Sequence, residues 1–356
     1  MHVLFREKHG LEETDIPVDL KQNPADLVFL SYSDSDLNAF AEGWRRGYKS
    51  SPENFITLRL ANITYLRHPL SVDTYIENTL SKTKGILIRL IGGVPYWEYG
   101  LNQIYNLALK KNIPLAVLPA DGRQDERLDK MSNLPISTLR QLSKLCDQGG
   151  PIASQAALAQ MALATGLKAS PVIGKKTIPS FGFWKPSKVL NSNEEKRQYT
   201  KKNASVIIVF YRSFITANDL NPIKELYYSL KKSGIIPLCI FVPSLKEPGS
   251  AKWIEDQITL LQPSCIINVT SFSSKNKSGS SPLDIGNVPV FQIALSTNKK
   301  SEWKNEERGL SPTDMAMHVA LPEIDGRIFL GVASFKEKMS KDVRLEFNEI
   351  KHQSYK

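Results

Sequence analysis

LIRLIGGVPYWEYG, residues 87–100, begins as an apolar run, ends that run on Gly92 and Gly93, and places Tyr96 and Trp97 just after the turn. Extended to GILIRLIGG (85–93), the run reads as a buried strand. A strand with apolar residues on both faces belongs to a parallel sheet covered by helices. In such sheets, ligands sit beyond the carboxyl ends of the strands. The turn therefore carries two readings. In one, the glycines let a ligand approach the backbone while Tyr96, Trp97 and Tyr99 offer it flat surfaces. In the other, it is a strand-to-helix connection with core aromatics and Arg89 as a cap.

Outward from this stretch, apolar runs alternate with amphipathic segments. DLVFLSY (26–32), FITLRLAN (55–62) and IPLAVLPAD (113–121) read as strands. Residues 34–48, opened by an Asp cap, 71–83, capped by Ser71, and 99–112 read as helices, with further helical patterns at 125–147 and 152–167. The rhythm resumes with strands at 204–214, 235–244, 265–272, 289–296 and 327–335. Helices are expected at 221–234, 250–262 and 311–320, the last capped by Ser311. The fold class is α/β: two parallel-rich sheet units with flanking helices. Length agrees, since 356 residues exceed one comfortable core. The expected division is a first domain at 1–167, a basic linker at 168–202, a second domain at 203–336 and a tail at 337–356.

Composition narrows the function classes. The net charge is +10. The densest basic stretch, Lys168 to Lys202, is rich in Pro, Ser and Asn and reads as a solvated linker. It lacks the spaced aromatics of an RNA-binding sheet, so no nucleic-acid partner is expected. No apolar run approaches the roughly 20 residues that span a bilayer, and the start lacks a signal-peptide core. Cys146, Cys239 and Cys265 are far apart and read as free thiols of a cytoplasmic protein. No Walker A, GxGxxG, HExxH or nucleophile-elbow pattern occurs, so no ATP site or metal cluster is expected in this chain and no catalytic residue is assigned.

Three further places carry chemistry. Arg212 ends the apolar strand VFYRSF, where its fork suits a carboxylate or an inter-domain salt bridge. His318 lies four residues after Asp314 and reads as a transit contact for a metal or as a structural histidine. Arg59, Arg67 and His68 precede the Ser71 helix and read as an anion site or a surface loop.

Together these stretches carry a resemblance. They are LRLANITYLRHPLSVDTYIENTLSKTKGILIRLIGG (58–93), YWEYG, FYRSF with VPSLKE, PVFQIALS, RGLSPTDMAMHVALPEIDGRI and ASFK. In this order they resemble the N-terminal part of the cobalt/magnesium chelatase large-subunit family, CobN type. The resemblance implies a tetrapyrrole-binding subunit of cobaltochelatase. Such an enzyme inserts Co²⁺, as substrate, into hydrogenobyrinic acid a,c-diamide in aerobic cobalamin synthesis. It implies no cofactor bound by this chain, and ATP hydrolysed by AAA+-type partner subunits. Arg89, Gly92, Gly93, Tyr96, Trp97, Arg212 and His318 are the candidate tetrapyrrole contacts. Family members are longer, and the pattern is read to fade after Lys336. A truncated subunit that needs the C-terminal portion as partner is therefore expected. The alternatives are a non-catalytic interaction module, an inactive remnant, or the magnesium chelatase counterpart.

Overall fold

The computed structural model describes residues 16–53, 55–174, 177–186, 188–190, 205–276, 278–307 and 309–354. Two compact units divide the chain. The first holds the chain up to Ile178, Thr216–Asn218 and Met339–Glu349; the second holds Pro179–Ile215, Asp219–Lys338 and the segment from Ile350.

In the first unit, β1 (Leu27–Ser31), α1 (Asp34–Ser50), β2 (Leu58–Asn62), α2 (Pro69–Asn78), β3 (Gly85–Leu90), α3 (Glu98–Lys111) and β4 (Leu115–Pro119) follow the expected alternation. Helices α4 (Glu126–Lys130), α5 (Ile136–Gln148) and α6 (Gly150–Ala164) complete it. The sheet order is β2-β1-β3-β4, all parallel. Every residue of these strands is buried. Successive side chains enter opposite layers. Leu27, Phe29, Leu87, Ala116 and Leu118 join one core with α1, α5 and α6. Val28, Leu30, Ile86, Ile88, Leu115 and Val117 join the other with α2 and α3. Helices α1 and α6 meet at Gly43, where a Cβ would lie 2.7 Å from the backbone nitrogen of Gln155.

Two caps differ from expectation. Ser33, not Asp34, caps α1, its hydroxyl accepting from the Asp36 N–H. His68 caps α2, its Nδ1 accepting from the Leu70 N–H. Ser71, expected there, is buried, and its hydroxyl accepts from the Val18 N–H at 2.8 Å. Pro69 explains the shift, because proline suits a first helical turn and starts the helix two residues early.

In the second unit the sheet order is β12-β11-β10-β9-β7-β8-β5-β6. The parallel middle is β7 (Ser205–Tyr211), β8 (Ile236–Val242), β9 (Cys265–Asn268), β10 (Val290–Leu295) and β11 (Ile328–Lys338). The helices are α7 (Arg212–Thr216), α8 (Asn221–Lys232), α9 (Pro248–Leu261), α10 (Lys300–Asn305), α11 (Pro312–Met315) and α12 (Leu321–Ile324), with a π-helical turn at Ala316–Ala320. Antiparallel strands were not expected at the ends. The basic stretch contributes β5 (Gly182–Lys185) and β6 (Lys188–Leu190), and the tail contributes β12 (Ile350–Ser354). Within that stretch, residues 175, 176, 187 and 191–202 lie outside the described residues.

The segment Met339–Glu349 is clasped within the first unit. Arg45 of α1 bonds Asp342 and Glu349, both at 2.9 Å. Arg59 of β2 bonds Glu346 at 3.0 Å and donates to the carbonyls of Asn23, Leu58 and Arg344. Leu345 is fully buried in the core between these pairs.

His352 sits at the centre of β12. Its N–H donates to the Asp219 carboxylate and its Nδ1 lies 3.0 Å from the Ser334 hydroxyl. Burial, aided by the nearby Lys336 and His318, pushes its pKa down from 6.5 to about 3. The unfolded chain then binds a proton that the folded chain refuses between these values.

Two outcomes are expected. Arg59→Ala, which leaves Glu346 with Asn23 but no cation in a pair whose side chains are 9% and 14% exposed, lowers the urea-unfolding free energy by about 3–5 kcal/mol. Lys84→Ala, opposite Asp26 with Lys84 55% exposed, costs about 0–1 kcal/mol. Equal costs would refute the clasp. Second, stability falls as pH drops from 6.5 towards about 3. Urea midpoints should show a shallower fall in His352→Gln than in the parent chain.

Candidate functional site

The order β2-β1-β3-β4 reverses direction between β1 and β3, because β2 lies on one side of β1 and β3 with β4 on the other. The crevice beyond the carboxyl ends of two such strands is where open α/β sheets hold ligands. Arg89 and the Gly92–Gly93 turn lie at the end of β3, and Ser31, Tyr32 and the start of α1 lie at the end of β1. The structure thus brings Arg89, Gly92, Gly93, Tyr96 and Trp97 to the reversal point of the first sheet.

Within that group the roles divide. The Arg89 side chain is 7% exposed and spans α1 and α5, its Nη1 2.8 Å from Asp36 and its Nη2 bonded to Asp147. Burial opposes its charge, but the carboxylates, Asp36 foremost, outweigh this and raise its pKa. Burial holds the Asp147 carboxyl above its ordinary range, and Arg89 offsets this only in part. The Arg89 Nε is buried without a hydrogen-bond partner among the described residues. The Trp97 indole is 5% exposed, donates to the Leu66 carbonyl at 2.8 Å and lies over Gly100, where a Cβ would come within 2.2 Å of it. Gly92 has φ +82°, and a Cβ there would meet the Tyr96 ring at 2.3 Å. Gly93 has φ +77° and is buried. The two positive φ angles make the turn, and the glycine surfaces seat the chain's own rings.

Tyr96 itself is 59% exposed. Its carbonyl accepts from the Tyr32 hydroxyl at 3.1 Å. Burial raises the Tyr32 pKa, and the adjacent charge of Arg67 works against that rise. Arg67 follows the 3₁₀ turn Ile63–Leu66 and is exposed, as is Tyr65. Tyr99 is also exposed and donates to Asp73. Tyr32, Tyr96 and Arg67 thus form an aromatic and cationic rim around the reversal point. Tyr32 was not singled out from the sequence, because the order of strands that gives its position meaning is not written in local pattern. Of the loop group, Arg59 is committed to the clasp and His68 to a helix cap.

The remaining candidates belong to the second unit. Its sheet reverses between β7 and β9, and Arg212 directly follows the end of β7. Arg212 is half-buried, its Nε donates to the Pro179 carbonyl at 2.9 Å, and burial lowers its pKa. His318 lies on the π-helical turn, 6% exposed, with Nε2 4.0 Å from Asp314. Asp314 is fully buried and accepts from the Ser296 and Thr297 hydroxyls and the Thr297 N–H. Burial lowers the His318 pKa more than Asp314 raises it, and its Nδ1 has no hydrogen-bond partner among the described residues. Among the described residues, no three His, Cys, Asp or Glu side chains converge as a metal site. No helix among them is long and apolar enough to cross a membrane.

The CobN/Magnesium Chelatase family model matches residues 147–355. That span takes in the tail after Lys336, which the sequence reading sets outside the family pattern. The aerobic cobaltochelatase subunit CobN of a Sinorhizobium species is 30% identical over 365 residues, covering 99% of this chain and 28% of the relative. The aerobic cobaltochelatase subunit CobN of Pseudomonas aeruginosa is 32% identical over 359 residues, covering 98% of this chain and 28% of the relative. The solved catalytic subunit of cobaltochelatase from Mycobacterium tuberculosis superposes with a TM-score of 0.63 at 22% identity, covering 92% of this chain and 26% of that one. This last likeness establishes the shared α/β fold. The chain spans little more than a quarter of the length of these relatives. With more than half its residues under the family model and nearly all of them aligned to both CobN subunits, the chain belongs to the CobN/magnesium chelatase family.

Proposed function

We propose that this chain is the N-terminal portion of a cobaltochelatase large subunit and supplies part of the surface that holds the tetrapyrrole. The observation that supports this most is the rim at the reversal point of the first sheet. Exposed Tyr96 stands beside Tyr32 with the Arg67 cation adjacent. A flat macrocycle stacks on the phenol ring, and Arg67 meets a peripheral carboxylate. Arg89 fixes the floor of the crevice through Asp36 and Asp147. Trp97 holds the turn in register through the Leu66 carbonyl. Arg212 lies at the reversal of the second sheet and is proposed, for that unit by itself, as a tetrapyrrole contact.

The substrate proposed is hydrogenobyrinic acid a,c-diamide, with Co²⁺ as the inserted metal. Both named CobN relatives belong to the aerobic cobalt enzyme, which favours the cobalt branch over the magnesium one. In this reading the chain's own residues bind and orient the macrocycle. ATP is hydrolysed by AAA+-type partner subunits, and insertion requires the part of the large subunit that this chain does not span. The proposed setting is the cytoplasm.

Titrating the purified chain with hydrogenobyrinic acid a,c-diamide tests the reading, with its five tryptophans as the signal. Saturable quenching is expected. Tyr96→Ala and Arg67→Ala should each weaken it roughly 3- to 10-fold, the scale of about 0.5–1.5 kcal/mol for one aromatic contact. Trp97→Ala should act on the fold instead, lowering stability by about 3–5 kcal/mol. Absence of saturable quenching, or undiminished affinity in both rim variants, would overturn the proposal.

A further inference from the structure

Asp36 and Asp147 hold Arg89 on unequal terms. Asp36 is built in. It lies in the first turn of α1, its side chain is 18% exposed, and its second oxygen accepts from the Ser31 hydroxyl at 3.1 Å. Asp147 has Arg89 as its one hydrogen-bond partner among the described residues, and its side chain is 37% exposed. It sits in the last turn of α5, where the negative end of the helix opposes an anion. Burial holds its carboxyl above the ordinary range, Arg89 offsets this in part, and the nearby Asp36 and Asp121 charges add to it.

The guanidinium is also only half used. Nε and Nη2 form the edge of an arginine that takes a carboxylate through two parallel bonds. Arg127, in the same unit, does this: its Nε and Nη2 meet the two oxygens of Asp125 at 3.1 and 3.0 Å. On Arg89, Nη2 bonds Asp147, while Nε is buried and has no partner among the described residues. A buried donor left without a partner costs free energy. A carboxylate that took Nε and Nη2 together would satisfy it, and Asp147, fixed to α5, does not. The end of α5 adjoins Gly149 and Gly150, at φ +66° and +82°. Such residues at the end of an element are the kind that absorb a local movement.

We infer that Asp147 is an internal stand-in on Arg89, displaced when a carboxylate of the bound ligand takes the Nε–Nη2 edge. This rests on the proposed macrocycle site and gives Arg89 a direct part in it. Asp36 keeps the guanidinium in place, and a peripheral carboxylate of the macrocycle replaces Asp147. The chain's own aspartate thus competes with its ligand.

Fluorescence titration of the full chain with hydrogenobyrinic acid a,c-diamide tests this against three variants. Asp147→Asn and Asp147→Ala should each tighten binding roughly 3- to 10-fold, equivalent to about 0.7–1.4 kcal/mol. A gain of affinity is not produced by misfolding or by loss of a merely structural pair. Asp121→Asn removes a neighbouring negative charge without freeing Arg89, and should stay within about twofold of the parent. Hydrogen–deuterium exchange gives a second readout: in the saturated parent chain, peptides covering Leu142–Gly150 should exchange faster as Asp147 lets go. Saturable binding by the parent that both Asp147 variants leave unchanged or weaken overturns the displacement and leaves the macrocycle site standing. So does an Asp121→Asn gain equal to theirs, or unchanged exchange at the end of α5. Absence of binding in the parent and both Asp147 variants overturns the site, and the displacement with it.

Discussion

The pairing of part-buried Arg45 and buried Arg59 with Asp342, Glu346 and Glu349 holds the far end of the described chain in the first unit. An arginine withdrawn from water needs its partner, since removing one member leaves a charge stranded. These pairs hold a segment from near the end of the sequence against α1 and β2, more than 280 residues away along the chain. Glu349, held by Arg45, is followed at once by Ile350, the first residue of β12.

The same economy of charge shapes the reversal points of both sheets. Each has an arginine close behind the strand that borders the reversal: Arg89 at the end of β3 and Arg212 after β7. Arg89 is locked by two carboxylates and fixes geometry, which leaves the exposed Arg67 and Tyr96 as the groups that meet solvent. A surface of this kind suits a large planar anion. The proposed function rests on that match between the rim and a tetrapyrrole.

Much of this was legible in the sequence where apolar pattern is strong. Strands such as LVFLS and VIIVF announce themselves because both faces are buried, and the α/β rhythm follows from their spacing. The rest was hidden for physical reasons. β12, IKHQS, is an edge strand with polar residues on both faces, so no periodicity marks it. β5 lies within a lysine- and proline-rich stretch whose composition reads as linker, and Phe183 and Trp184 are its only apolar signal. The candidate turn was legible as a turn. That Gly92 seats Tyr96 and Gly100 seats Trp97 depends on ring positions that local sequence does not encode. Arg89 stood out as a charge in an apolar strand and Arg59 as part of a loop group, but the carboxylates that hold them lie 53 or more residues away, beyond any spacing rule.

The most direct measurement is hydrogen–deuterium exchange of the full chain with and without hydrogenobyrinic acid a,c-diamide. If the rim of the first sheet holds the macrocycle, protection should rise in the peptides covering Ser31–Asp36, Ile63–His68 and Arg89–Tyr99, while β11 and β12 stay unchanged. Unaltered exchange in those three segments at saturating macrocycle would contradict the proposed role.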